Sequence, residues 1–310
     1  MNFFGPKIPS RWLFLARPAT WVGVNLSPLS TRLLCGGRLF PDRDDGRCLP
    51  RQNARSASGV HRDWRRRCLI AMESPSALDA QSIRDEKVKT LLELIPLSCK
   101  EVAASTVRGQ YGWGEKDSAV LTGDRQEKGV DPRSTTETYV ALQTKIDNWR
   151  WTGVPVLQLS GKRLPKRVSE TTIEFRQPPL HLFHQLTSED DVTPPKSNVL
   201  VIRIQPDEGI SLDFACKRPG MWIQLEEVNM DFFYRTFQQR SPEAYERLLL
   251  DALRGDASLF TRSDEVEYAW RFISSIHEGW ANLPPPKFPN YYPFTDGPDE
   301  ANRLLEGTGT

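Results

Sequence analysis

The sequence predicts an α+β domain, in which a large and mostly antiparallel sheet has helices packed on one face. Strand-like runs follow one another between residues 135 and 234 without intervening helices. Hairpins and short loops allow such a succession in antiparallel sheets, whereas parallel pairing requires long crossovers. Two amphipathic helix patterns come after the strands, and residues 1–68 have no sustained period of either kind. We therefore expect residues 69–310 to be folded and residues 1–68 to be irregular or disordered.

Residues 1–68 form a basic leader. They hold twelve Arg and one Lys against four Asp, a net charge of +9, while the remainder has 28 basic and 36 acidic residues, a net charge of −8. Three interpretations are open: an organelle-targeting presequence, a nucleic-acid-binding patch around the WRRRC run at 64–68, or a frame-shifted or mis-started sequence. The abrupt change from an Arg-dominated to a mixed composition favours the third, so we expect no nucleic-acid partner.

Length and cysteine usage set further limits. The chain has 310 residues, of which 38% are hydrophobic, so it can bury a substantial core. No run approaches the roughly 18 to 20 apolar residues of a membrane span. Five cysteines are irregularly spaced without a CxxC pair, which indicates a reducing compartment, the cytoplasm, rather than a disulfide framework or a metal site.

The elements are predicted in chain order. Residues 82–95 form a helix behind a Ser82 cap, with Ile83, Val88, Leu91, Leu92 and Ile95 on one stripe. Residues 135–149 alternate, with Val140, Leu142 and Ile146 on one face and Glu137, Gln143 and Lys145 on the other, which is typical of a half-buried strand. Further strands are predicted at 154–159, 169–175, 198–204, 210–216 and 229–234.

Two helices and an extended tail complete the domain. The first helix begins at a Ser241 cap with Pro242, ends at Gly255 and buries a stripe of Tyr245, Leu248, Leu249, Ala252 and Leu253, with Glu243 and Arg247 paired outside. The second helix buries Val266, Trp270, Ile273, Ile276 and Trp280. The tail at 283–294 is rich in proline, so we expect an extended strap lying on the surface.

Most sequence motifs of catalysis give little support for a site. His277 lies on an apolar helix stripe and is interpreted as a packed residue, while His181 and His184 adjoin Pro178 and Pro179 and lack carboxylate partners for a metal. Neither a glycine-rich phosphate loop after a strand nor a GxSxG elbow occurs.

A basic cluster is the one candidate binding site. SGKRLPKR, residues 160–167, follows a predicted strand and places Lys162, Arg163, Lys166 and Arg167 where a sheet passes into a loop. Lys as a point charge and Arg as a bidentate donor suit a dianionic phosphate monoester. The alternative is a solvated basic rim beside an edge strand, and Pro165 prevents strand alternation from showing which side chains point together.

Several long blocks resemble one known family. The segments RGQYGWG, EKGVDPRSTTETYVAL, IDNWRWTGVPVLQLSGKRLPKR, EFRQPP, LVIRIQPDEGI, PEAYERLLLDALRGDASLFTRSDEVEYAWR and GPDEANRLL, in this order, are similar to the carboxy-terminal domain of glucose-6-phosphate dehydrogenase, from about Leu69 to the end. The resemblance implies a large antiparallel sheet that also forms a homo-oligomer. It implies oxidation of glucose 6-phosphate by NADP to 6-phosphoglucono-lactone, the first step of the pentose phosphate pathway.

The resemblance also implies roles for single residues. Lys162 matches a phosphate-contacting lysine, Arg167 or its neighbour Lys166 a second substrate contact, and Gln205 a substrate-binding glutamine. Arg203 matches an arginine that in animal members touches a second, structural NADP. Ser211 and Asp213 replace the Tyr and Lys of those members, so we expect no structural NADP, in a pattern that resembles bacterial members.

The family's amino-terminal segments are missing from the sequence. GASGDLA-like, RIDHYLGK and QNH segments do not occur, and His61, in VHRDWR, is one position out of register with the family's general-base histidine. We therefore expect no catalytic residue and no NADP site in this chain, and a truncated product that is inactive alone. The alternative is a non-catalytic dimerisation module of the same family.

Overall fold

A computed structural model of the chain describes residues 70–116, 119–177, 196–220, 225–237 and 244–306. The predictions for the leader, including His61, and those for His181 and His184 lie outside these residues. The helices are α1 (Ala80–Leu92), α2 (Cys99–Ser105), α3 (Ala244–Arg254), α4 (Ser263–Ala281) and α5 (Asn302–Glu306). The strands are β1 (Thr106–Gly109), β2 (Gly114–Lys116), β3 (Ala119–Leu121), β4 (Tyr139–Thr144), β5 (Val156–Gly161), β6 (Ser169–Glu174), β7 (Val199–Gln205), β8 (Gly209–Lys217) and β9 (Leu225–Phe233).

The strands confirm the predicted fold class. They form a three-stranded sheet in the order β1-β4-β5, a four-stranded sheet in the order β6-β7-β8-β9 and a β2-β3 ribbon. Each ladder between these strands is antiparallel. The mixture of helices with antiparallel sheets is the predicted α+β architecture. No helix in the described part of the chain is long and apolar enough to cross a membrane.

Strand β4 corrects one prediction, because it is buried on both faces rather than one. Val140 and Leu142 belong to a core that includes the α4 side chains Ile273, Ile276 and Trp280. The opposite face carries Tyr139 and Ala141, which lie in a second core built with Val107, Tyr111, Leu157, Tyr291, Ala301 and Leu304. Helices thus cover one face of the three-stranded sheet, as predicted, and the carboxy-terminal segment covers the other.

The tail and Glu137 are therefore more buried than expected. Residues 283–294 contain no helix or strand, but Phe288 and Tyr291 are only 8% and 5% exposed, so the segment is part of the core rather than a surface strap. Glu137, predicted to face outward, is 4% exposed and forms a 3.1 Å ion pair with Arg108. The guanidinium of Arg108 lies 4.7 Å from the ring centroid of Trp280.

One helix start and two buried stripes also differ from the prediction. Helix α1 is capped by Asp79 rather than Ser82, since the Asp79 carboxylate accepts from the backbone N–H groups of Gln81 and Ser82 at 2.9 Å. Val88 and Leu91 of its stripe are buried, whereas Leu92 and Ile95 are exposed. In α4 the buried positions include Ala269, Phe272 and Ile273. The buried face is therefore rotated relative to the predicted stripe, and Trp270 is 41% exposed.

Helix α3 presents its apolar stripe to solvent, contrary to the prediction. Tyr245, Leu249 and Leu253 are 79%, 67% and 87% exposed. Gly255 adopts φ +71°, which confirms the predicted left-handed stop. Arg247 pairs with Asp251 at 2.9 Å within the helix. The predicted cap residues Ser241 and Pro242 and the predicted partner Glu243 lie outside the described residues.

Close packing of α2 against α4 gives the first testable prediction. A Cβ added at Gly279 would lie 2.5 to 2.9 Å from three side-chain carbons of Val102, which is fully buried. We expect Gly279→Ala to lower the free energy of unfolding, because an overpacking cost of about 1–3 kcal/mol exceeds the gain of about 1 kcal/mol from replacing glycine in a helix. Thermal and urea unfolding measure the change.

The matched control is Ser274→Ala, at an exposed position of the same helix. We expect this variant to unfold at the wild-type midpoint or slightly above it, since only helix propensity changes. A Gly279→Ala variant as stable as the control would contradict close packing of the two helices at this point.

Candidate functional site

The basic cluster begins where β5 ends. Residues 162–168 form bends between β5 and β6, without helix or strand. Lys162 and Arg163 are half-buried, whereas Lys166 and Arg167 are exposed. The cluster therefore has a supported first half and a solvent-facing second half, a distinction that the sequence pattern did not give.

The backbone of Lys162 is hydrogen-bonded on both sides of its Cα. Its N–H donates to the carbonyl oxygen of Thr138 at 2.9 Å, just before β4. Its carbonyl oxygen accepts from the hydroxyl of Tyr291 at 2.9 Å, in the carboxy-terminal segment. The next carbonyl, that of Arg163, accepts from the N–H of Phe294 at 2.6 Å. Two other parts of the chain, the residue before β4 and the carboxy-terminal segment, thus hold the backbone of the first two cations.

The backbone and the side chain of Arg163 both stabilise the turn that follows β5. It is a non-glycine residue with φ +55°, in the left-handed region, which turns the chain sharply away from β5. Its guanidinium lies 3.4 Å from Glu127 Oε1, and the same oxygen accepts from the hydroxyl of Tyr111 at 2.5 Å. Both Arg163 and Glu127 are largely buried, so this pair is shielded from bulk water more than a surface pair would be.

A layer of tyrosines lies beneath the loop. The ring centroids of Tyr139 and Tyr291 are 5.6 Å apart, and those of Tyr111 and Tyr291 are 6.3 Å apart. Burial is the main cause that raises the pKa of all three hydroxyls above the ordinary tyrosine value. These hydroxyls are therefore neutral and can act as hydrogen-bond donors at any physiological pH.

The strand register brings Gln205 towards Arg167. Gln205, the last residue of β7, pairs with Ser169, the first residue of β6 and the second after Arg167. The register shifts between Ser169 and Glu170, so the ladder is irregular at this end. Gln205 is exposed. The sheet thus places the predicted glutamine beside the exposed half of the basic cluster.

Arg203 lies two residues before Gln205 on β7, and its side chain is bound by other residues of the same sheet. Its guanidinium donates to the hydroxyl of Ser211 and lies 3.4 Å from the carboxylate of Asp231. Hydrogen bonds from Ser211 and then Arg203 lower the pKa of Asp231. The ring of Phe233 lies 5.2 Å from the Arg203 guanidinium carbon. This network connects β7, β8 and β9.

The remaining candidates are quickly placed. His277 is partly buried and packs edge-on against Trp280 at 5.3 Å, the environment of a packed histidine. Within the described ranges, no group of three or more His, Cys, Asp or Glu side chains could hold a metal ion.

Comparison with known proteins decides the family. Residues 67–310 match the family described as “Glucose-6-phosphate dehydrogenase, C-terminal domain”. A glucose-6-phosphate 1-dehydrogenase of Chlamydia pneumoniae is 45% identical over 243 residues, which cover 78% of this chain and 46% of the relative. That of Mycolicibacterium smegmatis is 42% identical over 244 residues, covering 78% of this chain and 48% of the relative. The chain belongs to the glucose-6-phosphate dehydrogenase family.

Solved structures of the family agree with the fold. A glucose-6-phosphate dehydrogenase in complex with its substrate glucose-6-phosphate superposes with a TM-score of 0.72 at 28% identity, covering 91% of this chain and 55% of that one. The enzyme from Mycobacterium avium gives 0.69 at 29% identity, covering 90% and 54%. The chain therefore spans about half the length of the relatives that it matches. Members of the family are oxidoreductases, glucose-6-phosphate 1-dehydrogenases.

The sequence had not indicated which groups support the basic cluster in this family domain. Thr138, Tyr291 and Phe294 bind its backbone, and Glu127 binds its Arg163 side chain. A signal did exist in PNYYPF, residues 289–294, because aromatic residues in a proline-rich tail can anchor that tail to a core. The tyrosine, however, is far from the cluster in sequence, and only the tertiary structure joins them.

The conformation of Arg163 gives a prediction that separates backbone from side chain. Arg163→Ala and Arg163→Gly both remove the contact with Glu127, but only glycine adopts φ +55° without a steric cost. We expect the glycine variant to be more stable than the alanine variant by about 1 kcal/mol, measured by urea unfolding. Equal stability, or a more stable alanine variant, would show that the left-handed turn is absent in solution.

Proposed function

We propose that this chain provides one wall of the sugar-phosphate site of a glucose-6-phosphate dehydrogenase, with Lys162 as the principal phosphate contact. The observation that carries the proposal is the fixed backbone of Lys162 at the start of a basic loop. One of the similar solved structures is a complex with glucose-6-phosphate, which supports the choice of ligand. We also propose that the folded domain begins near Leu69, since the family match begins at residue 67.

Each residue of the wall has a chemical role in this proposal. Lys162 and either Lys166 or Arg167 bind the phosphate dianion through charge-assisted hydrogen bonds. Gln205 at the end of β7 hydrogen-bonds a sugar hydroxyl, since a neutral amide can both donate and accept. Arg163 holds the loop through Glu127 instead of binding the ligand. The chain's own groups thus bind and orient the sugar phosphate.

The oxidation step requires groups that we do not assign to these residues. In the family reaction, hydride passes from C1 of glucose 6-phosphate to NADP while a general base removes the C1 hydroxyl proton. The carboxylate at the cluster, Glu127, is bound by Arg163 and Tyr111, and we assign it no role as the base. We propose that NADP is the family's oxidant and that the present chain binds the sugar phosphate without turning it over.

Binding of glucose 6-phosphate tests the proposal directly. We expect calorimetry or ligand-observed NMR to detect binding to the wild-type chain and a loss of about tenfold in Lys162→Met, because a charge-assisted hydrogen bond is removed. Arg167→Met should weaken binding by a similar factor if Arg167 is the second contact. Glucose without the phosphate should not distinguish these variants from the wild type.

Lys145→Met is the matched control, since Lys145 is an exposed lysine just after β4 and outside the cluster. It removes the same charge from the chain and should leave the affinity unchanged. Equal affinities for Lys162→Met and Lys145→Met would mean that the cluster is a solvated rim, and the proposed site would be wrong.

We also propose that two copies of the chain associate through the four-stranded sheet. Ile210 and Phe232 are paired across β8 and β9, as are Leu212 and Met230, and together they form an apolar sheet face. Met230 is 61% exposed and Phe232 39% exposed. A contiguous exposed apolar face is typical of an interaction surface. The neighbouring rings of Tyr234 and Phe237 extend this surface by an aromatic cluster.

Association is tested by placing one charge on that face. We expect the wild-type chain to sediment as a dimer and Met230→Glu to sediment as a monomer, since an unpaired carboxylate would have to be buried in the interface. The control is Leu253→Glu, which places the same charge on the exposed stripe of α3. A monomeric wild type, or dissociation by the control alone, would show that the sheet face is not the interface.

A cytoplasmic location completes the proposal. Cys99 and Cys216 are free, exposed thiols among the described residues. Exposed unpaired thiols persist in a reducing compartment.

A further inference from the structure

We propose that Tyr291 is a positioning residue for Lys162, whose side-chain direction it fixes through a hydrogen bond to the Lys162 carbonyl oxygen. The inference rests on the proposed role of Lys162 in binding glucose 6-phosphate. Tyr291 does not touch the ligand in this proposal, and it acts only through the lysine.

The two hydrogen bonds of Lys162 define both of its backbone torsions. The N–H that donates to Thr138 belongs to the peptide plane before the Cα, and the carbonyl that accepts from Tyr291 belongs to the plane after it. Because each peptide unit is planar, holding one group in each plane sets φ and ψ of the residue between them. The direction of the Lys162 Cα–Cβ bond follows, and the flexible side chain then begins from a fixed point.

The donor hydroxyl belongs to a directed chain of hydrogen bonds. The N–H of Tyr111 donates to Thr138 Oγ1 at 3.1 Å, and Thr138 Oγ1 lies 3.0 Å from Tyr291 Oη. Each hydroxyl has one proton, and the Tyr291 hydroxyl has two acceptors in reach, the Lys162 carbonyl oxygen at 2.9 Å and the Thr138 carbonyl oxygen at 3.5 Å. The bond to Lys162 is the shorter, and with the Tyr291 proton in that bond Thr138 Oγ1 is the donor to Tyr291 Oη. Such a chain polarises each successive hydroxyl and strengthens the final bond.

Burial makes this bond hard to replace by water. Tyr291 is 5% exposed and Thr138 is 2% exposed. Loss of the hydroxyl would leave the half-buried Lys162 carbonyl without this donor, on the side of the bond that Tyr291 and Thr138 close to water. The ring itself would be retained by Tyr291→Phe, since it packs between Tyr111 and Tyr139.

Tyr139 provides a matched control in the same tyrosine layer. It is fully buried, and its hydroxyl has no hydrogen-bond partner among the described residues. Tyr139→Phe therefore removes the same atom from the same type of residue, but it removes no hydrogen bond to Lys162. Any general effect of deleting a buried tyrosine hydroxyl would be shared by both variants.

The first measurement is site-resolved amide hydrogen exchange by NMR, without ligand. In Tyr291→Phe we expect the N–H groups of Lys162 and Phe294 to exchange about tenfold faster, while the β6-β7 ladder exchanges at the wild-type rate. In Tyr139→Phe we expect no change at Lys162. Wild-type exchange at Lys162 in Tyr291→Phe would overturn the proposal, as would uniformly faster exchange throughout the sheets, which indicates only lost stability.

The second measurement is the affinity for glucose 6-phosphate. We expect Tyr291→Phe to bind several-fold more weakly than the wild type and Tyr139→Phe to bind equally well, at a temperature where both variants are fully folded. Equal binding by all three proteins would also overturn the proposal. If the wild type itself binds no glucose 6-phosphate, the proposed function fails, and the exchange measurement still decides whether Tyr291 fixes Lys162.

Discussion

Burial of β4 on both faces is the constraint on which the rest of the domain depends. One face must receive α4 and the other must receive the carboxy-terminal segment, because a central strand with an uncovered apolar face would remain in contact with water. The residues just outside the strand then become structural as well. Thr138 precedes β4; its carbonyl oxygen accepts from the Lys162 N–H in the loop after β5, and its hydroxyl lies 3.0 Å from that of Tyr291. The packing of the core and the position of the basic cluster are thus consequences of the same strand.

The polar groups beneath the cluster include neutral hydroxyls, the buried carboxylate of Asp124 and the Arg163–Glu127 ion pair. Arg163 offsets the charge of Glu127, so this pair adds little net charge beneath the loop. One of the four cations therefore supports the loop. Lys166 and Arg167 lie in the exposed half of the cluster. Their charges stay hydrated, so folding carries no desolvation cost for them.

Local sequence patterns predicted where the strands occur better than they predicted which residues are buried. Strands β5 to β9 were expected within a few residues of their bounds, because β-branched and aromatic runs separated by turn residues are short-range signals. Burial of Tyr139 and Glu137 depends on the carboxy-terminal segment, which is distant in sequence, so alternation alone gave the wrong exposure for that face. The same limit applies to the site: SGKRLPKR indicated the cations and the family resemblance implied roles for them, but neither indicated Tyr291 as a neighbour. Helix α3 shows the opposite error. Its amphipathic pattern predicted a buried stripe, but no described residue covers that stripe.

The two sheets have different physical roles, and Gln205 connects them. The three-stranded sheet is held rigid by cores on both faces, and Lys162 follows its last strand. The four-stranded sheet has mostly half-buried or exposed positions along β7 to β9, and Gln205 ends one of these strands beside an irregular pairing. In the site proposed above, the phosphate would meet a sheet covered on both faces and the sugar a sheet with more exposed positions. Association through the apolar sheet face, as proposed, would bury exposed positions of the same sheet that carries Gln205.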